Sequence, residues 1–364
     1  MKENPVKVLH VVTSLSASGV PSLLYSYYTR MNRDLIHFDF VVIPSDVEHS
    51  YREKFEAMGS EVHYMPKTYA KRISYLYNLI KRNKYDVVHS HIELASAVYL
   101  TIAKFAGIKT RIAHAHMAFL PYDKLYHTLL RWQLNCIATH KMGCSKEALK
   151  GLFGKRSARK GLVLHNAIDI ERFSFKESIR NEYRNKFHLN GKTILGFVGR
   201  LTQQKNIFYM LDIFEEYQKI NPQSLLMVIG DGELRDEFIT AIKRKGLEDK
   251  VLCFGMRDDV SSLMMSMDFL LLPSLWEGLG IVLIEAQTAA LMTLTSKTTV
   301  PIEDTNISEY IHYLDINQNP SVWAKEICNI KMPYNKREIR CELIKNHYDI
   351  DREAIRLCKL YLRR

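Results

Sequence analysis

The stretch that decides the fold is DFLLLPSLWEGLGIVLIEAQTAAL, which spans residues 268–291. A short apolar run ends at Pro273, a loop with two glycines follows, and IVLIEAQTAAL then has a helical pattern. Apolar runs of this length, bounded by turn residues, are typical of strands buried on both faces, and such strands form parallel sheets. The stretch therefore predicts one strand, loop and helix step of an α/β fold.

The same alternation occupies most of the 364 residues. Strand-like runs in the first half include VKVLHVVTS, HFDFVVIP, YDVVHSH and TRIAHAH, and the alternation begins afresh at TILGFVGR. We therefore predict an α/β fold with two Rossmann-like domains, whose parallel sheets face each other across a cleft. The predicted boundaries are 1–172 for the N-terminal domain, 173–335 for the C-terminal domain, and 336–364 for a helical tail that packs back on the N-terminal domain.

Charge is distributed unevenly along the chain. Residues 1–172 contain 25 Lys and Arg against 14 Asp and Glu, whereas residues 173–364 contain 26 of each, so the first half carries the whole net charge of +11. This excess predicts an anionic partner, which can be membrane headgroups, a phosphorylated lipid or nucleic acid; a solvated basic face is the alternative. The tyrosine-rich basic segments LLYSYYTR (23–30) and KTYAKRISYLYNLIKR (67–82) predict peripheral contact with an anionic membrane, unless they are ordinary amphipathic helices.

The composition predicts a cytoplasmic protein. The N-terminal sequence runs directly into a strand pattern without the apolar stretch of a signal peptide, and no apolar run approaches the roughly 18 residues of a membrane span. The six cysteines form no CxxC pair and no metal-ligand spacing, so we expect small buried residues in a reducing compartment. The predicted location is the cytoplasm, at the inner face of the membrane.

A strand-to-helix turn at FVGRLTQQKN, residues 197–206, carries two cations. Gly199 permits close backbone approach, and Arg200 and Lys205 lie near a helix N-terminus, which itself favours anions. This pattern indicates a bound diphosphate, although surface cations beside a helix are the alternative.

A second glycine-rich turn is IGDGEL, residues 229–234. Its glycines indicate that the backbone approaches either a ligand or the neighbouring strand closely, and Asp231 suits bonding to turn amides.

Two carboxylates flank the glycine loop of the opening stretch. Glu277 lies at the rim of this loop, whose Gly278 and Gly280 allow unusual dihedral angles and expose backbone amides. Glu285 lies more than one turn into the following helix. A loop that leads into a helix can direct both carboxylates toward one bound molecule, where each accepts hydrogen bonds from adjacent hydroxyls. A satisfied buried glutamate is the alternative.

The ordered set GRLTQQKN, GDGEL, FG and PSLWEGLGIVLIEAQ resembles the retaining glycosyltransferases of family 4, closest to the bacterial exopolysaccharide and capsule type. Glu277 and Glu285 match the E-x7-E signature of that family, and SASGVPSLL, YDVVHSH, TRIAHAH, GCSKEA and HNAIDIERF follow its order in the first half. One departure is Ser18-Gly19-Val20-Pro21, where the family commonly has two glycines. The resemblance implies the GT-B fold, with an N-terminal acceptor domain and a C-terminal domain for the nucleotide-sugar donor.

The resemblance also implies roles for individual residues. Arg200 and Lys205 would neutralise the donor diphosphate, Glu285 would bind the ribose, and Glu277 would hold the donor sugar. His116, which follows the strand TRIAHAH, would contact that sugar near the reacting centre, with His114 and His91 as rivals for this role. The implied catalytic set is His116, Glu277, Arg200 and Lys205. The implied donor-binding set is Gly19, Gly199, Arg200, Lys205, Phe254, Arg257, Glu277, Gly278, Leu279, Gly280, Ile281 and Glu285.

The implied reaction is the transfer of a sugar from a nucleotide-diphosphate sugar, most commonly a UDP-sugar, to a saccharide or lipid-linked acceptor in exopolysaccharide or capsule synthesis. The anomeric configuration would be retained, by front-face attack in which the leaving phosphate accepts the proton of the acceptor. We expect no metal or other cofactor, and no nucleic-acid partner. The alternatives are a catalytically silent scaffold that binds a nucleotide-sugar, and a nucleotide-sugar epimerase of the same fold.

Overall fold

The computed structural model describes residues 5–16, 19–44, 49–117, 125–330 and 339–363. The chain divides into two compact units. The first unit comprises Met1–Ala167 and Asp349–Arg364, and the second comprises Ile168–Tyr348. The boundary predicted between residues 335 and 336 lies outside the described residues.

The first unit is built on a seven-stranded sheet in which all neighbouring strands are parallel. Its strands are β1 (Val6–Val12), β2 (Ile36–Val42), β3 (Val62–Tyr64), β4 (Val87–Ser90), β5 (Thr110–Ala115), β6 (His140–Gly143) and β7 (Leu162–Val163). Their order in the sheet is β3-β2-β1-β4-β5-β6-β7. Because the order reverses after β1, the carboxyl ends of β1 and β4 border the point where ligands bind in sheets of this kind.

Helices cover both faces of this sheet. They are α1 (Gly19–Thr29), α2 (Arg52–Glu56), α3 (Tyr69–Asn83), α4 (Ser96–Phe105), α5 (Leu125–Ile137), α6 (Lys146–Phe153) and α7 (Lys155–Ala158). Residues of α3, α4, α5 and α6 share one core cluster, and residues of α1 and α2 share another. Tyr27 and Tyr28 of α1 are buried in the second cluster, so the interpretation of this segment as a membrane-facing one is wrong for both tyrosines.

The second unit repeats the architecture with six strands, again all parallel to their neighbours. The strands are β8 (Thr193–Val198), β9 (Ser224–Ile229), β10 (Val251–Gly255), β11 (Phe269–Leu272), β12 (Met292–Ser296) and β13 (Ile311–Leu314). The helices are α8 (Ile170–Phe173), α9 (Glu177–Lys186), α10 (Ile207–Ile220), α11 (Arg235–Arg244), α12 (Val260–Ser266), α13 (Ile281–Thr288), α14 (Ile302–Thr305), α15 (Pro320–Asn329) and α16 (Arg340–Lys345). The strand order is β10-β9-β8-β11-β12-β13, which reverses between β8 and β11.

The opening stretch of sequence forms the elements that its pattern predicts. All four residues of β11 are buried, and the strand lies between β8 and β12 in the sheet. The loop 273–280 then leads into α13, whose apolar residues are mostly buried. The predicted α/β fold with two Rossmann-like units is therefore confirmed.

After the second unit the chain returns to the first in helix α17 (Ile350–Leu362). The carboxylate of Asp349 caps this helix by accepting hydrogen bonds from the backbone of Asp351 and Arg352. One face of α17 buries Leu357 and Tyr361, and the helix packs against α1 and β1.

All six cysteines lie among the described residues, and each carries a thiol and not a disulfide. Cys144 is buried as expected, but the expectation of burial is wrong for Cys136, Cys253, Cys328 and Cys341, which are exposed. Over the described ranges, every helix is too short or too polar to cross a bilayer.

Candidate functional site

The loop between β8 and α10 begins the candidate site of the second unit. The backbone N–H of Gly199 donates to the carbonyl of Ile229, which extends the pairing of β8 and β9 by one residue. A short 3-10 helix, Gln203–Lys205, follows, and Asn206 takes a left-handed conformation at φ 53° to start α10. Arg200 is exposed, and within the described part of the chain its guanidinium has no ion-pair partner.

The glycines of the GDG turn are required by the approach of two backbones. A Cβ at Gly230 would lie 2.0 Å from the carbonyl oxygen of Gly199, and one at Gly232 would lie 2.4 Å from that of Leu201. Gly230 also has a φ of +130°, which disfavours any other residue. Asp231 accepts a hydrogen bond from the backbone of Gly232 at 2.7 Å. The sequence indicated close approach of this turn either to a ligand or to the neighbouring strand. The structure favours the second interpretation, because the backbone of the turn contacts the end of β8 and the loop after it.

The loop between β11 and α13 is tied to the β8 loop. The backbone N–H of Leu275 donates to the carbonyl of Gln204 at 2.8 Å, and the Gln204 amide donates to the carbonyl of Trp276 at 2.9 Å. The backbone N–H of Glu277 donates to the carbonyl of Thr299 at 3.0 Å. Gly280 then takes a left-handed φ of 70° at the start of α13. These bonds fix the position of the Glu277 backbone relative to β8.

Lys205 and Glu277 form an ion pair between these two loops. The Lys205 Nζ lies 2.5 Å from Oε1 of Glu277, and the hydroxyl of Ser274 donates to the same oxygen at 2.6 Å. The side chains of Lys205 and Glu277 are only 15% and 5% exposed. Each of these poorly hydrated charges compensates the other, and removing one leaves the other uncompensated. The site thus offers a cation and a hydrogen-bond acceptor side by side, just beyond the carboxyl ends of β8 and β11.

Glu285 is the fifth residue of α13 and is partly buried. Burial raises the pKa of its carboxyl to about 7, and the charge of Arg172 acts in the opposite direction. Among the described residues, the carboxyl has no hydrogen-bond partner. A carboxyl with this pKa can accept hydrogen bonds from hydroxyl groups or donate one to them near neutral pH.

Phe254 lies near the end of β10, and Arg257 lies in the segment that follows this strand. Phe254 packs edge-on against Phe187, with ring centroids 4.9 Å apart. The Arg257 guanidinium makes two hydrogen bonds to Asp259, at 2.8 and 2.6 Å, and this contact lowers the pKa of Asp259 to about 2. Arg257 is therefore already engaged with a carboxylate, and its role in donor binding stays a prediction.

Five histidines line one region of the first unit: His10 on β1, His89 and His91 at the end of β4, and His114 and His116 at the end of β5. His10 Nδ1 lies 3.0 Å from His91 Nε2, and His91 Nδ1 lies 2.9 Å from His116 Nε2. Burial lowers the pKa of all five, to about 3 for His10 and about 4 for His116. The array is therefore neutral at pH 7.

These histidines include two groups of three that could hold a metal ion. One nitrogen each from His10, His89 and His91, or from His91, His114 and His116, lies within 4.8 Å of the others. The nitrogens that join His10 to His91, and His91 to His116, are however directed at each other in hydrogen bonds. The alternating HxH strings of β4 and β5 could be seen in the sequence, but the contribution of His10 depends on the pairing of β1 with β4.

His116 is the member of this array that remains partly exposed, whereas its rivals His91 and His114 are buried. Glu93, a residue that the sequence analysis did not single out, fixes the backbone here. Its Oε1 accepts a hydrogen bond from the backbone N–H of His116 at 2.8 Å, and burial raises the pKa of its carboxyl to about 7. Gly19 begins α1 in the same unit, and a Cβ at this position would meet no atom within 4 Å.

Comparisons with known proteins show what this chain is similar to. The family model of glycosyl transferases group 1 matches residues 179–346. The chain is 26% identical over 379 residues to the putative glycosyltransferase EpsF of Bacillus subtilis (strain 168), covering 99% of this chain and 97% of EpsF. It is 29% identical over 243 residues to the UDP-Gal:alpha-D-GlcNAc-diphosphoundecaprenol alpha-1,3-galactosyltransferase of Escherichia coli, covering 62% of this chain and 61% of that protein.

A solved structure is similar over nearly the whole chain. The crystal structure of Anabaena HepE in complex with UDP aligns with a TM-score of 0.74 at 17% identity, covering 98% of this chain and 95% of HepE. This likeness agrees with the fold described above.

Replacing Glu285 by Gln is expected to stabilise the ligand-free protein at alkaline pH. Because the pKa of Glu285 is raised from 4.5 to about 7 in the folded state, its contribution to stability is complete below pH 4.5 and is lost as the pH rises through 7. Gln stays neutral, so the free energy of unfolding of Glu285→Gln should exceed that of the wild type by about 1–2 kcal/mol at pH 8, and by less at pH 5. Partial exposure keeps the difference below what full burial would give.

Urea unfolding at the two pH values measures this difference. Glu309→Gln removes an exposed carboxylate of the same unit and should change the free energy of unfolding by less than about 0.5 kcal/mol at either pH. A wild-type protein that gains stability over Glu285→Gln between pH 5 and pH 8 would show that the Glu285 carboxylate is stabilised by an ionic partner.

Proposed function

Because the chain is a glycosyltransferase of group 1, we propose that it transfers a sugar from a nucleotide-diphosphate sugar, with a UDP-sugar favoured, to a saccharide or lipid-diphosphate-linked acceptor. The reaction retains the anomeric configuration and serves exopolysaccharide or capsule synthesis. The name of the E. coli relative supports both a UDP-sugar donor and an acceptor on a diphosphate lipid. The UDP complex of HepE supports the choice of nucleotide.

The observation that carries this proposal is the contact between Lys205 and Glu277. In a nucleotide-diphosphate sugar, the anomeric carbon is joined to the β-phosphate through one oxygen. A protein that binds both groups therefore needs a cation for the phosphate and a hydrogen-bond acceptor for the sugar hydroxyls next to each other. The 2.5 Å contact of Lys205 with Glu277, beyond the ends of β8 and β11, supplies this pair.

The remaining second-unit residues extend the same binding mode. Arg200 is exposed on the β8 loop, where a guanidinium can grip diphosphate oxygens in a fork. The backbone amides of Leu279, Gly280 and Ile281 lie at the N-terminal end of α13 and add positive potential for the phosphate. Glu285, which has no hydrogen-bond partner among the described residues, is assigned to the ribose hydroxyls. Phe254 and Arg257 are assigned, more loosely, to the base.

In the first unit, we assign His116 to the donor sugar and Gly19 to the loop near the phosphate and acceptor. His91 has both ring nitrogens engaged by other histidines, and His114 is buried. His116 is partly exposed, which favours it over both rivals as the ligand-contacting histidine.

In the proposed step, the acceptor hydroxyl oxygen forms a bond to the anomeric carbon while the bond from that carbon to the β-phosphate oxygen breaks. The bonding electrons leave with the phosphate, which takes the proton of the acceptor hydroxyl. Arg200, Lys205 and the amides of α13 stabilise the negative charge that develops on the diphosphate. The proposal includes no metal ion and no carboxylate nucleophile, since this charge is met by the protein's own groups.

Replacing Arg200 by Met tests whether the Arg200 guanidinium binds the diphosphate of the donor. A thermal-shift screen of nucleotide-sugars first identifies the donor, because a ligand of the native state raises the melting temperature. With that donor, Arg200→Met should lower kcat/KM about 10- to 100-fold, while Arg244→Met, at an exposed arginine of α11, should leave it within about twofold.

Two outcomes would contradict the proposal. Stabilisation by a UDP-sugar without transfer to any saccharide or lipid-diphosphate acceptor would identify a silent nucleotide-sugar-binding scaffold. A product with inverted anomeric configuration would contradict the proposed front-face attack.

We also propose that the first unit contacts an anionic membrane at the cytoplasmic face. This unit contains 29 Lys and Arg against 15 Asp and Glu, whereas the second contains 22 against 25. Helices α3 and α5 both pack on α4 and expose apolar side chains, which are Tyr69, Ile73 and Tyr77 on α3 and Leu125, Leu129 and Trp132 on α5. Apolar side chains on a cationic surface suit binding at the boundary of headgroups and acyl chains.

Sedimentation with vesicles measures this contact. The double change Leu129→Ser and Trp132→Ser should weaken binding to phosphatidylglycerol-containing vesicles about tenfold, because it removes buried apolar area from the interface. Trp276→Ser, at a comparably exposed tryptophan of the second unit, is the matched control and should bind as the wild type does. Binding that is equal for phosphatidylcholine vesicles and insensitive to salt would contradict the electrostatic part of the proposal.

A further inference from the structure

We propose that His91, backed by His10, is a positioning residue that determines which ring nitrogen of His116 carries the hydrogen, so that His116 presents an Nδ1–H donor to its ligand. The identity of that ligand as the donor sugar rests on the proposed function. The position of the hydrogen follows from the contacts of the first unit alone.

The three rings form one linear chain of hydrogen bonds. His10 Nδ1 pairs with His91 Nε2 at 3.0 Å, and His91 Nδ1 pairs with His116 Nε2 at 2.9 Å. The chain thus has two free ends, His10 Nε2 and His116 Nδ1. His10 Nε2 is buried without a partner, and His116 lies at the end that is partly exposed.

Counting hydrogens leaves two arrangements. Each neutral imidazole carries one N–H, so three rings hold three hydrogens, and the two bonds use two of them. The third hydrogen lies at one end of the chain, either on His10 Nε2 or on His116 Nδ1. The two arrangements are mutually exclusive because His91, with a single hydrogen, donates to one neighbour and accepts from the other.

The environment of His10 decides between them. Its ring packs 4.2 Å from Phe38 and 5.4 Å from Phe40, measured between ring centroids, and its Nε2 reaches no hydrogen-bond partner. A buried N–H without an acceptor is rarer and more costly than a buried lone pair without a donor. The third hydrogen therefore lies on His116 Nδ1, and every bond in the chain donates toward His116.

The other groups around the histidines do not change the direction in which the hydrogen bonds donate, which is toward His116. His89 pairs with the hydroxyl of Tyr361 on α17 at 2.8 Å and so stands outside the chain. Asp39 on β2 raises the pKa of His10 only against the larger effect of burial. Glu93 holds the backbone of His116 and leaves its ring free.

The consequence is a restriction on what His116 recognises. With hydrogen on Nδ1 and a lone pair on Nε2 that His91 already occupies, the ring can donate to an oxygen of the ligand but cannot accept a proton from it at Nδ1. A sugar hydroxyl or ring oxygen fits this end, whereas a group that must be deprotonated does not. His116 is thus a hydrogen-bond donor in binding and not a general base.

Nitrogen NMR of the ligand-free wild-type protein tests the tautomer directly. Long-range proton–nitrogen spectra of protein labelled with 15N-histidine distinguish a nitrogen that carries hydrogen from one that carries a lone pair, and His116→Gln identifies the signals of His116. At pH 7 the hydrogen is expected on Nδ1 of His116. Hydrogen on Nε2 of His116, or a charged ring, would overturn the proposal.

Replacing His91 by Phe removes the donor to His116 Nε2. The hydrogen of His116 should then shift to Nε2 in a measurable fraction of molecules, and the KM for the donor found in the nucleotide-sugar screen should rise about tenfold, with a smaller change in kcat. His89→Phe changes a buried histidine of β4 that stands outside the chain of hydrogen bonds, and should leave the His116 signals in place and KM within about twofold. A His116 tautomer that His91→Phe does not alter would overturn the role of His91.

Two further outcomes separate this inference from the proposed function. The predicted tautomer together with no transfer from any UDP-sugar would overturn the proposed function and support the positioning role. Stoichiometric zinc in the purified protein, lost in His91→Phe, would overturn the inference, because nitrogens that bind a metal cannot carry these hydrogens.

Discussion

The ion pair of Lys205 with Glu277 is the interaction on which the second unit's candidate site depends. It joins the loops after β8 and β11, where the strand order of the sheet reverses. Neither charge is well hydrated, so each charge compensates the other across the two loops. Backbone bonds of Gln204 with Leu275 and Trp276 reinforce the same junction. The carboxylate and the ammonium group are thereby preorganised for a ligand that carries hydroxyls and phosphate side by side.

In the first unit, by contrast, neutral groups position the candidate residue His116. Five buried or partly buried imidazoles lie on or directly after three adjacent strands, and burial keeps them uncharged. A chain of hydrogen bonds among neutral rings determines which nitrogen of the last ring carries the hydrogen, and it does so without moving a charge. The candidate groups of the second unit are therefore ionic, whereas the candidate group of the first unit is an oriented neutral donor.

The sequence predicted the elements of this architecture better than it predicted their contacts. Apolar runs such as FLLL predicted the strands, and the turns after β8 and β11 were predicted to follow strands, because both features are local. The ion pair of Lys205 with Glu277 joins residues 72 positions apart, and it depends on the order of strands in the sheet. The role of Gly230 depends likewise on how closely two loops approach. The sequence did not single out His10, because an isolated histidine in an apolar strand gives no local pattern. Tyr27 and Tyr28 lie in a basic, tyrosine-rich segment, and their burial depends on tertiary packing that the sequence does not show.

Calorimetric titration with UDP, and with the UDP-sugar that most stabilises the protein, tests the central claim that Lys205 and Glu277 share one ligand. Lys205→Met should weaken both ligands by a similar factor, about tenfold or more, because both carry the diphosphate. Glu277→Gln should leave UDP binding undiminished, since it frees the charge of Lys205, while removing the additional affinity that the sugar provides. Equal weakening of UDP by the two variants, in proteins whose melting temperatures show them to be folded, would contradict the account and identify the pair as a structural contact alone.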